Sequence, residues 1–189
     1  MAGSRQAIQR LLSALLLLPT IAAADEATRA SPPRIEAAFL RNFAHYLAWP
    51  PGAFTDEHSP WRICVAGNDP FGEVLDETLR GRSEHGRQFV VVRSDAAVDL
   101  RQCHVLYIAY RSGEQRRGML AELANRPVLT VGDAPSFLQE GGIIRFQVSD
   151  RVGISVNLDR ANLVSVKIPA NVLEVSQEVI ENGVVRRLR

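Results

Sequence analysis

Charge of one sign is what this sequence most lacks. Its 22 Lys and Arg nearly balance 21 Asp and Glu, four His add little, and the formal net charge is +1. A near-neutral chain has no strong field with which to hold a phosphate backbone or an anionic bilayer, so nucleic acid is not an expected partner. Long apolar runs are missing as well. The most extended, Leu11 to Leu18, falls short of the roughly 20 residues needed to span a membrane. Cysteine is scarce, with Cys64 and Cys103 alone. Without a second cysteine pair or a His three or four residues from another His, the two make a poor metal site.

Catalytic signatures are lacking too. There is no G-x-S-x-G nucleophile elbow. Gly67-Asn68-Asp69-Pro70-Phe71-Gly72 lacks the third glycine of a dinucleotide fingerprint and the Lys-Ser/Thr ending of a phosphate loop. His45, His58, His85 and His104 are scattered over a helix, two loops and a strand, which suits surface or core roles better than a base or a metal ligand. The acid pairs Asp56-Glu57 and Asp76-Glu77 are sequence neighbours, and adjacent helical residues do not face one another. They read as solvated surface. These absences predict a protein that is not an enzyme and needs no cofactor.

What is present is an ordinary globular composition. The 189 residues are 46% hydrophobic and 23% charged, enough for one domain or at most two small ones. Residues 1–24 are set apart from the fold. Arg5 and Arg10 precede the apolar run, Pro19 breaks it, and Ala22-Ala23-Ala24 offers small residues at a cleavage site, the pattern of a secretory signal peptide. Export to the periplasm is the expectation. In that oxidising compartment Cys64 and Cys103 are most simply a disulfide, with free buried thiols or a redox switch as the alternatives.

The remainder reads as alternating helices and strands. Residues 25–33 form a flexible leader, and Ile35, Ala38, Phe39, Phe43, Tyr46 and Leu47 give a helix over 34–48 a stripe for packing on a sheet. A strand over 61–66 follows. Asp69 would cap a helix over 71–80 with Pro70 at its first position. Strands over 88–93, 103–108 and 127–131 and a helix over 114–124 complete strand-helix units, which imply a largely parallel sheet covered on both faces. Two segments, 143–148 and 152–157, predict an antiparallel hairpin at one edge. Beyond them come a helical turn over 158–163, an extended stretch over 164–168 and a short helix over 169–175. Residues 176–189 are a tail without a clear assignment. The expected fold is a single α/β domain over 34–175.

In such a sheet, the loops leaving the carboxyl ends of the strands line a crevice. They contain Asn68, Asp69, Tyr110, Arg111, Ser112 and Asp133. An amide, carboxylates, a phenol, a guanidinium and helix N-termini suit a small polar or anionic ligand. Alternatively, Asp69 and Ser112 simply cap their helices.

Five strings in order resemble the YfiR family of exported proteins. They are Ala37-Ala38-Phe39-Leu40-Arg41-Asn42-Phe43-Ala44 with Trp49-Pro50, Ile63 to Gly72, Cys103-His104-Val105-Leu106-Tyr107-Ile108, Pro127 to Asp133, and Gly141-Gly142-Ile143-Ile144. The resemblance implies a periplasmic α/β protein, often a homodimer, that represses an inner-membrane diguanylate cyclase by binding its periplasmic sensor region. It further implies release by an outer-membrane, peptidoglycan-associated lipoprotein, and it matches Cys64 and Cys103 to one family cysteine pair. A partner-binding surface would be apolar or aromatic. Its candidates are Phe54 and Trp61, or the hairpin with Ile143 and Phe146. A periplasmic small-molecule-binding protein using the crevice is the alternative function.

Overall fold

The structure is a computed structural model that describes residues 31–149 and 151–188. The expected signal peptide over 1–24 and residues 25–30 of the expected leader lie outside the described residues. Helix α1 (Pro32–Tyr46) starts earlier than the leader allows, because Pro32 and Pro33 occupy its first two positions, where a missing N–H costs nothing. Its buried face runs through Glu36, Ala37, Leu40, Phe43 and Ala44. This stripe is rotated from the expected one, and Tyr46 stands 50% exposed.

Strand β1 (Trp61–Gly67) follows, then α2 (Glu73–Leu79), a hairpin of β2 (Ser83–Glu84) with β3 (Arg87–Arg93), and α3 (Ala97–Leu100). The chain continues through β4 (Val105–Ala109), α4 (Gly113–Glu122), β5 (Leu129–Gly132), β6 (Ile144–Val148) and β7 (Val152–Asn157). Last come α5 (Leu158–Leu163), α6 (Ala170–Glu174), β8 (Glu178–Glu181) and β9 (Val184–Arg187). The stretch expected over 164–168 adds no strand; it meets the end of α1 in a single bridge between Ala48 and Lys167.

The nine strands among the described residues form one sheet in the order β2-β3-β1-β4-β5-β6-β7-β8-β9. From β3 through β6 every pairing is parallel. Side chains that alternate along the strands feed two cores. Ile63, Val65, Val105 and Tyr107 meet α1 and α2 on one face. Cys64, Ala66, Leu106 and Ile108 meet α4 and Phe137 on the other. Burial on both faces accounts for the nearly continuous apolar run in β4.

The β6-β7 hairpin is antiparallel as expected, with Val148 opposite Val152, but it is not an edge. The unassigned tail corrects that expectation, for β8 joins β7 in parallel and β9 folds back on β8. The turn between them is Asn182-Gly183, both with positive φ (54° and 72°), as a two-residue hairpin turn requires. That dipeptide between two short apolar segments was the available signal.

Candidate functional site

Chain order reverses at β1, which has β3 on one side and β4 on the other. In open parallel sheets a binding crevice forms outside the strand ends at such a point, because the loops on either side of it run in opposite directions and part. A cleft of about 460 Å³ lies there, with Asn68, Tyr110, Arg111 and Asp133 of the expected residues in its wall. Asp69 and Ser112 are not among the residues that line it. Asp69 instead accepts the Phe71 N–H at 2.7 Å and the Arg93 Nε–H at 2.7 Å, closing a turn before α2. It therefore does not cap that helix, whose N-terminal neighbour is Gly72. Ser112 accepts from the Gln115 N–H at the start of α4 and serves as its cap.

The cleft walls are fixed by two polar knots. In the first, Asp95 Oδ1 accepts the Gly67 N–H and the Tyr110 O–H, each at 2.8 Å. Burial, then this hydrogen bond, pushes the Tyr110 phenol up to about 12. Gly67 sits at φ +86°, and a Cβ there would stand 2.9 Å from the Tyr110 ring and backbone, so the close approach requires glycine. Asp95→Ala is expected to cost about 0.5–1.5 kcal/mol, the net contribution of an exposed hydrogen-bonding group whose two donors water can then reach. Urea unfolding measures it; an unchanged midpoint would show that the knot does not hold the wall.

The second knot is Arg116, which sequence reasoning missed because nothing in a lone helical arginine announces burial. Its Nε and Nη2 donate to the two Glu140 oxygens at 2.7 Å each, and Nη1 donates to the carbonyls of Tyr110 and Arg111 at 2.9 and 2.8 Å. The side chains of Arg116 and Glu140 are only 8% and 7% exposed. The guanidinium holds the Glu140 carboxyl below its usual range. One residue of α4 thereby ties the loop after β4 to the turn before β6.

Near the cleft, three carboxylates bear on the buried Tyr107, which also lines it. Burial raises its phenol first, and the charges of Asp133, Glu36 and Asp69 add to the rise. Glu36, 5% exposed on α1, is itself raised to about 7 by burial and then by Asp133. On the far side of the sheet's end, His104 is 3% exposed. Its Nδ1 accepts the Arg62 N–H at 3.0 Å and its Nε2–H points to the Ala53 carbonyl at 3.2 Å, which assigns the neutral tautomer. Burial lowers it to about 4.

These two groups pull stability in opposite directions. His104 takes up its proton more readily when unfolded, so its contribution is lost as pH falls from about 6.5 to about 4. Glu36 holds its proton more tightly when folded, so its contribution is lost as pH rises from about 4.5 to about 7. Denaturant unfolding across that range should give a flat wild-type profile between about 4.5 and 6.5. Glu36→Gln should instead climb steadily from acid to neutral pH. Parallel profiles for the two proteins would refute the assignment.

Three of the four expected partner-binding residues are buried. Trp61, Ile143 and Phe146 are 3%, 2% and 1% exposed. Phe146 packs with Phe43 and Tyr107 because its hairpin lies inside the sheet. Phe54 is half-buried, its ring stacked 4.1 Å from the His104 ring with the Arg87 guanidinium 4.0 Å away. Cys64 and Cys103 form a disulfide between β1 and the segment entering β4, with their Cα atoms 6.0 Å apart. Among the described residues no group of three His, Cys, Asp or Glu side chains could hold a metal ion, and no helix is long and apolar enough to cross a membrane.

The class defined by this geometry is an open α/β domain with a polar strand-end cleft and no paired nucleophile and base in its wall. The chain belongs to the YfiR/HmsC-like family, whose pattern it matches over residues 33–177. That is a family of periplasmic, non-catalytic regulators of cyclic di-GMP signalling. A buried disulfide accords with an oxidising compartment. Among solved structures, a conserved domain protein from Vibrio cholerae O1 biovar El Tor shares the fold at 15% identity and a TM-score of 0.53. The likeness covers 79% of this chain and 60% of that one. No curated protein matches.

Proposed function

We propose that this protein represses an inner-membrane diguanylate cyclase by binding the periplasmic sensor region of that enzyme, and so lowers cyclic di-GMP and biofilm formation. The observation that carries the reading is the family match over residues 33–177, which takes in α1 and the sheet as far as the start of β8. A repressor needs no catalytic group. It shifts its partner's equilibrium by binding one conformation more tightly than another. An outer-membrane, peptidoglycan-associated lipoprotein would relieve the repression by holding the repressor away. Deleting the gene should raise cyclic di-GMP and surface attachment, and complementation should reverse both. Unchanged levels after deletion would refute the cyclase assignment.

The cleft of about 460 Å³ favours a second reading, a periplasmic binding protein for a small polar molecule that uses Arg111 and Asp133 in its wall. A ligand that binds only the folded state raises the melting temperature by mass action. A thermal-shift screen with nucleotides and amino acids should then give a hit that Asp133→Ala abolishes; the absence of any shift would dismiss this reading.

A further inference from the structure

We propose that the strand-end cleft holds a primary ammonium group, received by Asp133, Glu36 and the Tyr107 hydroxyl. The inference rests on the second reading above, that the cleft binds a small polar molecule, and gives that molecule its charge. Tyr107 and Asp133 stand in the cleft wall, and Glu36 lies behind them within electrostatic reach of both. Tyr107 is 1% exposed and Glu36 5%. Among the described residues, no hydrogen bond or ion pair reaches the Tyr107 hydroxyl or the carboxyl of Glu36 or Asp133.

The neighbouring charges, by contrast, are paired. Arg116 holds Glu140, and Arg93 holds Asp69, the third carboxylate that bears on Tyr107, each at 2.7 Å. Buried polar groups without partners are costly, and three of them together beside a cleft mark a place where a ligand supplies the partner.

The chemistry of the three groups selects the ligand. Each accepts hydrogen bonds, and the two carboxyls carry negative charge once ionised. A primary ammonium brings N–H donors for all of them and one compensating charge. Calcium takes roughly six to eight oxygens and magnesium a near-ideal octahedron, more than two carboxylates and a phenol supply. Arg111, exposed in the same wall, leaves room for a carboxylate on the same ligand. The ammonium can therefore belong to a plain amine or to an amino acid.

Binding also moves a proton. Glu36 keeps its proton up to about 7, because burial and the Asp133 charge penalise the anion. A cation between the two carboxyls offsets both penalties, so Glu36 ionises and its proton goes to solvent. Among the described residues Asp133 is the charge that acts on Glu36; Arg34, on the same helix, is drawn to Glu77 at 3.7 Å.

Isothermal titration calorimetry of the purified protein tests this with n-butylamine, β-alanine and the neutral n-butanol. Both ammonium compounds should bind and the alcohol should not. Tyr107→Phe and Asp133→Asn should each weaken binding about tenfold or more, as loss of a hydrogen bond to a charged group does, and neither removes a contact that holds the fold. At pH about 7 binding should release about half a proton, seen as a heat that varies with the ionisation enthalpy of the buffer, and Glu36→Gln should abolish the release. Arg111→Ala separates the two sources, weakening β-alanine and sparing butylamine. Butanol binding as tightly as butylamine, or Tyr107→Phe and Asp133→Asn binding as tightly as the wild type, would overturn the proposal. If a nucleotide raises the melting temperature while neither ammonium compound binds, the proposal falls and the cleft reading stands; if nothing binds, both fall.

Discussion

Replacing Cys64 and Cys103 together by alanine should lower the stability of the folded chain by about 4 kcal/mol, among the largest effects expected of any change outside the backbone. The bond closes a loop of 39 residues, and most of its effect lies in the unfolded chain, whose freedom it restricts. The local sheet is already paired without it. Cys64 stands opposite Leu106 in the β1-β4 ladder, and Cys103 lies two residues before that strand begins. The fold should therefore survive the loss with unchanged far-UV circular dichroism. Guanidinium unfolding should show a lower midpoint and a steeper slope, because a chain without the crosslink exposes more surface on unfolding. An unchanged midpoint and slope would mean that the bond contributes nothing.

Arg116→Ala should be nearly as damaging, at about 3–5 kcal/mol, for a different reason. The substitution frees two carbonyls and leaves the buried Glu140 carboxylate with only the Ser136 hydroxyl at 2.8 Å and the exposed Arg117 at 4.0 Å, and breaking a buried pair by removing one partner is far costlier than the pair is stabilising. The contrast to measure is the double change Arg116→Met with Glu140→Leu, which removes both charges. It should recover much of the loss. If the single and double changes were equally unstable, packing of the arginine stem and not charge burial would be the cause. Crevice geometry depends on the same contact. Losing it uncouples the Tyr110-Arg111 loop from residues 136–140, so any ligand of the cleft should bind the variant less tightly.

The candidate site was legible in part. Its place followed from the strand-helix rhythm, because strand ends in a parallel sheet have only one side on which to form a crevice. Asn68, Tyr110, Arg111 and Asp133 line it for that reason. Arg116 and Tyr107 were not legible, since a helical arginine and a strand tyrosine carry no local mark of what they will face. The burial of Ile143 and Phe146 was not legible on the same account. Ile143 and Phe146 would be half exposed in an edge hairpin, but two further strands beyond β7 put the hairpin inside the sheet.

Sequence alone determined the alternation of helix and strand and the parallel core, and it favoured a bond between the two cysteines over free thiols, because period, turn chemistry and cysteine number are local or composition-level properties. It also determined the family, through strings that survive in order. Tertiary structure decided which strand ends the sheet, which apolar residues are covered and which charges meet. Those outcomes rest on contacts between residues distant in the chain, such as β7 with β8 or Arg116 with Glu140, and no local pattern encodes them.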